Sequence, residues 1–323
     1  MIIITGQTST GKTQLAYKLA KKHGGELINF DSRQIYKKLD IITGKEIFPD
    51  IKTHLIDIID PKEQFSSFDF ATLAKPLIQD LSKKGIVPIL VGGSYLYIKH
   101  LLYGIDKRVP ADWELRNKLN KKSVKQLQDM LKKQDYQTFK SLNESDRNNP
   151  HRLIRKIEIS NFVTSNEKAN VVTGGSRGGV PDSAQIMASM SSTDGEEIRD
   201  RTRKKSLEIK NSLSNYFKSA KSRKIIGLRF KDNKQLKLAI TKRVEQRMRN
   251  GALQEVKHLI KMGYKITDPG MQTIGYKQLM QYLTGTISKD GALRQWISKE
   301  VQYAKRQYTF MKKDKNIKWK FID

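Results

Sequence analysis

Ile2-Ile3-Ile4-Thr5-Gly6-Gln7-Thr8-Ser9-Thr10-Gly11-Lys12-Thr13 carries an apolar run straight into a glycine-framed loop, and Leu15, Ala16, Leu19 and Ala20 then recur at helical spacing. The run reads as a short buried strand ending at Gly6, and the helix after the loop closes at Gly24-Gly25. Gly6 to Thr13 fits the pattern G-x-x-x-x-G-K-[ST] in full. Glycines in such a loop let backbone N–H groups turn inward around a phosphate, at the positive end of the following helix. Lys12 is then placed for terminal phosphate oxygens and the Thr13 hydroxyl for Mg²⁺. A loop of this kind does not say what becomes of the phosphate, since kinases, NTPases and group transferases all need one held with Mg²⁺.

Outward from the loop, apolar runs and helical patterns alternate. Leu27 to Phe30 reads as a second strand ending at Asp31, and Leu55 to Ile59 as a third ending at Asp60-Pro61. A helical pattern from Phe68 to Lys84 is expected to bend or break at Pro76. Ile86 to Val91 is a fourth apolar run, stopped by Gly92-Gly93. This alternation predicts an α/β fold, a parallel sheet covered on both faces. Ligands gather where such strands end, and Gly6, Asp31 and Gly92-Gly93 all lie there. A carboxylate at Asp31 can take a proton from a nucleophile, bind magnesium, or simply cap the next helix.

After Tyr103-Gly104 the strand pattern stops. The chain divides into a first core part, 1–108, a helical insertion, 109–224, and a second core part, 225–323. Within the insertion, Ser123 can cap a helix carrying Leu127, Met130 and Leu131, and Asn149-Pro150 can start another. Asn166 to Asp200, rich in Gly, Ser, Asp and Met without a period, reads as a flexible loop. Ile225 to Phe230 is expected to return as a strand. Lys234 to Met262 reads as one long amphipathic helical region, and a last helix runs from Asp290 to about Lys312.

The 323 residues hold 62 Lys and Arg against 33 Asp and Glu, a formal charge of +29. Such an excess suits a polyanion. There are no cysteines, which excludes disulfides, thiolate zinc sites and cysteine nucleophiles. No window reaches the ~18 apolar residues of a membrane span. A cytoplasmic protein without membrane contact, monomeric, is expected.

The motifs resemble those of the bacterial-type tRNA dimethylallyltransferases. Beside Gly6 to Thr13, the matching residues are Asp31-Ser32-Arg33-Gln34-Ile35-Tyr36, Thr43-Gly44-Lys45, His54-Leu55-Ile56-Asp57 and Gly92-Gly93-Ser94-Tyr95-Leu96-Tyr97. Asn149-Pro150 with Arg152 and Arg155, Ile274-Gly275-Tyr276-Lys277 and Ala304-Lys305-Arg306-Gln307 follow in the family's order. The resemblance implies a P-loop NTPase-like parallel-sheet core with a mainly helical insertion domain. It implies that the loop grips the diphosphate of dimethylallyl diphosphate rather than ATP, with Mg²⁺ as cofactor. It makes Asp31 the general base for N6 of adenine 37 in tRNA, with Thr8 and Lys12 beside it in catalysis. Asp31, Ser32, Arg33 and Gln34 are expected to contact the extracted adenine, and Ser94, Arg116, Arg152 and Arg155 to lie along the tRNA path.

The residues themselves support part of this. Arg152, Arg155 and Lys156 share a helix face, as do Arg243 and Arg247. The latter pair is expected to meet the leaving diphosphate, with Glu245 as a competing ion-pair partner. His54 and Trp296 read as structural, and Lys312, Lys313, Lys315, Lys318 and Lys320 as a basic tail toward RNA. The sequence departs from the family at Gln7 (commonly proline), Ser94 (threonine), Phe310 (often tryptophan) and Asn166 to Asp200. An enzyme alkylating free AMP, ADP or ATP, a small-molecule kinase and a non-catalytic RNA-binding protein remain the alternative readings.

Overall fold

Three consecutive isoleucines open a strand buried on both faces: β1 (Ile2–Gly6) leaves Ile3 and Ile4 with no exposed surface. That is how the interior strand of a parallel sheet reads. The computed structural model describes residues 1–104, 109, 111–172 and 224–322. The chain forms two units, one of Met1–Gly104 with Phe217–Asp323 and one of Ile105–Tyr216.

In the first unit, α1 (Lys12–His23) starts at Gly11 and ends at Gly24, both left-handed. Lys21, Lys22 and His23 fill its last turn, where positive charge suits the helix dipole. β2 (Gly25–Asn29) and β3 (Thr53–His54) follow. The expected strand over Leu55 to Ile59 does not form. Leu55 and Asp57 adopt φ of 57° and 55°, which turns the chain off the sheet, and only an isolated bridge joins Ile59 to Tyr36.

Helix α2 (Ser67–Lys83) begins with a capping box between Ser66 and Asp69. Of the bend or break expected at Pro76, the break is absent: the proline neither ends nor splits the helix. Beyond the proline the helix buries Ile78 and Leu81, each worth about 1.5–3 kcal/mol. This outweighs the ~3 kcal/mol that an interior proline costs. β4 (Val87–Val91) and α3 (Tyr95–Tyr103) complete the first half.

The second unit is helical among its described residues: α4 (Trp113–Leu119), α5 (Val124–Gln134), α6 (Tyr136–Ser141), α7 (Glu144–Arg147) and α8 (Pro150–Val172). Ser123 and Gln126 form the capping box of α5. The Asn149 side chain accepts from the Arg152 N–H at 3.2 Å, with Pro150 in the first turn of α8. Leu119, Leu127, Leu131, Phe139, Leu153, Ile154 and Ile157 make a core of the unit's own. α8 runs on to Val172, so the loop expected from Asn166 begins at least seven residues later; 173–200 lie outside the described residues.

The chain re-enters the first unit as β5 (Lys224–Phe230). The single amphipathic region expected over 234–262 is two helices, α9 (Asn233–Arg249) and α10 (Ala252–Lys261). They break at Gly251, whose φ is 98°. α11 (Tyr276–Leu283) and α12 (Lys289–Met311) pack with them, burying Trp296 and Tyr276 completely. The expected basic tail ends instead in a strand, β6 (Ile317–Ile322). The sheet order is β3-β2-β4-β1-β5-β6, all pairs parallel.

Candidate active site

The strand ends of β1, β2 and β4 and the helices α9 and α12 enclose a cavity of about 920 Å³ within the first unit. The loop after β1 forms its floor. Gly6 has φ +133° and lies against β5, where a β-carbon would stand 2.1 Å from the Leu228 carbonyl oxygen. Gln7, the departure from proline, clips this loop to β5. Its backbone N–H donates to Leu228 at 3.0 Å, and its side-chain oxygen accepts from the Phe230 N–H at 3.1 Å. The Gln7 carbonyl accepts from the Thr10 hydroxyl at 2.7 Å and from Lys12 Nζ at 2.6 Å. Ser9 is left-handed with φ 66°. Thr8 to Thr13 all line the cavity.

Burial pushes the Lys12 ammonium down to about 8; the Asp31 charge opposes this, Arg243 adds to it and Glu300 opposes it. Asp31 sits at the end of β2 in the same cavity. Asn29 fixes it by accepting the Asp31 N–H at 3.0 Å while donating to Leu55 O at 2.9 Å. Asp31 Oδ1 accepts from the Arg33 N–H at 2.9 Å. Its other carboxylate oxygen, Oδ2, lies 3.8 Å from where a β-carbon on Gly93 would stand. The Ser94 hydroxyl accepts from the Ser32 N–H at 2.9 Å and donates to the Ser32 hydroxyl at 3.0 Å. Serine keeps that chemistry in place of threonine. Gln34 donates to Thr43 O at 3.2 Å and Gly44 O at 3.0 Å, so part of its carboxamide holds the opposite wall. Arg33 is exposed at the cavity edge.

Arg243 and Arg247 come from α9 and line the cavity together. Their ion-pair partner is Glu300 of α12, not Glu245. Glu245 is two residues from Arg243 and Arg247, a spacing that does not face across a helix, and it is exposed. Burial tends to raise the Glu300 carboxyl, but Arg243, Arg247 and the Trp296 indole N–H hold it below its ordinary value. Arg247 is lowered to about 10, first by burial and then by Arg243. Three buried polar atoms of cavity residues, Ser9 Oγ, Thr53 Oγ1 and Arg243 Nε, have no hydrogen-bond partner among the described residues. A polar ligand would satisfy such atoms.

In the second unit Arg116 and Arg155 converge on buried Glu158. Arg116 Nε and Nη2 bind its two carboxylate oxygens at 2.8 and 2.7 Å, and Arg155 pairs with it as well. Glu158 also accepts the Asp112 N–H at 2.6 Å. Arg152 is paired with Asp146 on the surface. These arginines therefore hold their own unit together besides presenting charge. His54 pairs with Glu26 and Trp296 is fully buried, both structural. Glu300, Tyr303 and Gln307 of α12 reach the site; of these the sequence marks only Gln307, inside Ala304-Lys305-Arg306-Gln307, and shows no role for it, because nothing local links it to a loop about 300 residues earlier.

No cluster of three acidic or histidine ligands occurs among the described residues. A divalent ion here would be held by the Thr13 hydroxyl and ligand phosphate oxygens, a hard donor set that suits Mg²⁺.

Fold and site together define a P-loop-type α/β protein whose cavity joins a phosphate loop to a carboxylate and two arginines. The chain belongs to the IPP transferase family, whose model matches residues 34–314. It is 31% identical to the tRNA dimethylallyltransferase of Caldanaerobacter subterraneus subsp. tengcongensis, over 100% of this chain and 92% of that protein. With the tRNA dimethylallyltransferase of Acetivibrio thermocellus it shares 32% identity, over 99% and 90%. Among solved structures, the tRNA isopentenylpyrophosphate transferase of Bacillus halodurans superposes with TM-score 0.62 at 29% identity, covering 100% of this chain and 90% of that one. A eukaryotic dimethylallyltransferase captured acting on tRNA shares the fold, with TM-score 0.67 at 24% identity over 96% and 69%.

Proposed function

We propose that this chain transfers a dimethylallyl group from dimethylallyl diphosphate to N6 of adenine 37 of a tRNA. One observation carries the reading: the phosphate loop, Asp31, Arg243 and Arg247 all open on one cavity. The names of the relatives supply the substrate class, and the +29 charge suits tRNA. Adenine must leave its stack to reach such a cavity.

In the reaction a bond forms between N6 and the allylic carbon as the bond from that carbon to the diphosphate oxygen breaks. Asp31 takes the N6 proton, its carboxylate oriented by the Arg33 N–H. Thr8 and Lys12 stand at the diphosphate end, and the helix side of the loop, through the first turn of α1, supplies N–H groups to the departing oxygens. Arg243 and Arg247 stabilise the charge that builds there. Mg²⁺, held by Thr13 and the diphosphate, would neutralise part of that charge. The reading carries with it a cytoplasmic monomer.

Incubation with radiolabelled dimethylallyl diphosphate, Mg²⁺ and either unmodified tRNA or AMP tests it. Label in tRNA alone is expected, and Asp31→Asn should lower the rate roughly 10²–10⁴-fold. Label in AMP, or in neither acceptor, would overturn the reading.

A further inference from the structure

Both N–H groups on the strand side of the phosphate loop are spent on the protein itself. Gln7 donates to Leu228 at 3.0 Å, and Thr8 donates to Gln307 Oε1 at 2.9 Å. The Gln307 carboxamide is pinned at its other end, where Nε2 donates to Gly93 O at 3.1 Å, and the residue is only 6% exposed. Gly93 must lack a side chain for this, since a β-carbon there would stand 2.2 Å from Gln307 Nε2. The helix side of the loop is different. The first-turn N–H groups of α1 have no intrahelical acceptor and lie at the positive end of the helix.

In a loop of this pattern the lysine reaches the last two phosphates of a triphosphate. Lys12 Nζ reaches back to the Gln7 carbonyl at 2.6 Å, so the last phosphate it would meet lies toward the strand-side limb. Here that limb offers no unspent N–H at Gln7 or Thr8, and it presents a fixed carboxamide oxygen, an acceptor that repels another oxygen anion. An uncharged group needs no donor at this position.

We propose that Gln307 restricts the phosphate loop to ligands with two phosphates, by taking the Thr8 donor that a third phosphate would need. The proposal deepens the reading of the cavity as a diphosphate site and rests on it. Gln307 acts here as a specificity-determining residue set by α12, at the far end of the chain from the loop it edits.

The test titrates inorganic pyrophosphate and inorganic triphosphate, each with Mg²⁺, into the wild-type chain, Gln307→Ala and Gln307→Asn by calorimetry. The wild type is expected to favour pyrophosphate roughly tenfold or more. Gln307→Ala should bring the two ligands to within about threefold, chiefly by tighter triphosphate binding. Gln307→Asn withdraws the carboxamide by one methylene and should fall between; it also serves if the alanine variant does not fold. An unchanged ratio in the folded variants would overturn the proposal. So would an equal loss of both ligands, which marks a purely structural role. Wild-type chain that binds neither phosphate would overturn the diphosphate site itself. A shifted ratio without label transfer to tRNA would sink the proposed function and leave this inference standing.

Discussion

Gly44 lies so close to Arg247 that a β-carbon at position 44 would stand 2.3 Å from a guanidinium nitrogen. Gly44 also has φ +66°, and the Gln34 carboxamide donates to its carbonyl at 3.0 Å. The wall of the cavity and the arginine are therefore one fitted piece. Gly44→Ala should cost about 1–3 kcal/mol in backbone strain and push Arg247 out of place. A raised KM for the diphosphate substrate, by roughly tenfold, is the expected reading in steady-state kinetics. A variant with wild-type KM and melting temperature would show that the fit is idle.

Glu300 balances two arginines inside the cavity wall. Glu300→Ala removes the counter-charge and should destabilise the chain by about 3–5 kcal/mol, read as a lower urea midpoint. The sign of the pH dependence follows from the depressed carboxyl. Its stabilising contribution is fully present above the unfolded value of about 4.3 and is lost as pH falls through the lower folded value. The stability gap between wild type and Glu300→Gln should thus shrink in acid below about pH 4. A gap that widens there would contradict the pairing.

Burial lowers the Lys12 ammonium to about 8, so its charge fades just above neutrality. Pyrophosphate affinity should decline as pH rises through about 8, and Lys12→Ala should abolish that slope along with most of the affinity. Stability moves the other way. Between about 8 and the unfolded value of about 10.4 the unfolded chain binds more protons at this residue, so its contribution to stability rises with pH. Calorimetric titrations and urea melts at pH 7, 8.5 and 9.5 would separate the two trends.

Arg152 and Arg155 should behave differently although they share a helix. Arg155→Ala strips one partner from buried Glu158 and should cost the second unit about 3 kcal/mol of stability. Arg152→Ala breaks only the surface pair with Asp146, worth less than about 1 kcal/mol. Its effect should appear in tRNA affinity, with the slope of log K against log salt reduced by about one. Equal melting temperatures for the two variants would contradict this division.

What was legible in the sequence was local. Gly6 to Thr13, the Ser123 cap and the Asn149-Pro150 start are each spelled within a few residues, and each is found where it was read. Arg243 and Arg247 are visible as a pair meant for the diphosphate, and the competing ion-pair partner the sequence offers is Glu245 rather than Glu300, because the sequence shows neighbours along the chain rather than across it. Glu300 and Gln307 come from a helix brought in by the last third of the core. The strand expected at Leu55 to Ile59 failed because left-handed Leu55 and Asp57 carry no sequence mark; both are ordinary residue types. The lysines near the terminus hid β6, since period-two alternation on an edge strand can look like a solvated tail.

The sheet order has a consequence for how the molecule is born. β1 lies between β4 and β5, yet β5 leaves the ribosome more than 200 residues after β1. β1 must therefore wait, half-clothed, while the helical unit emerges and gathers its own core. Only when Leu228, and later Gln307, arrive can they close on Gln7 and Thr8. A nascent chain that stops short of α12 thus holds the phosphate-loop sequence without a finished pocket, and competence for substrate waits on Gln307.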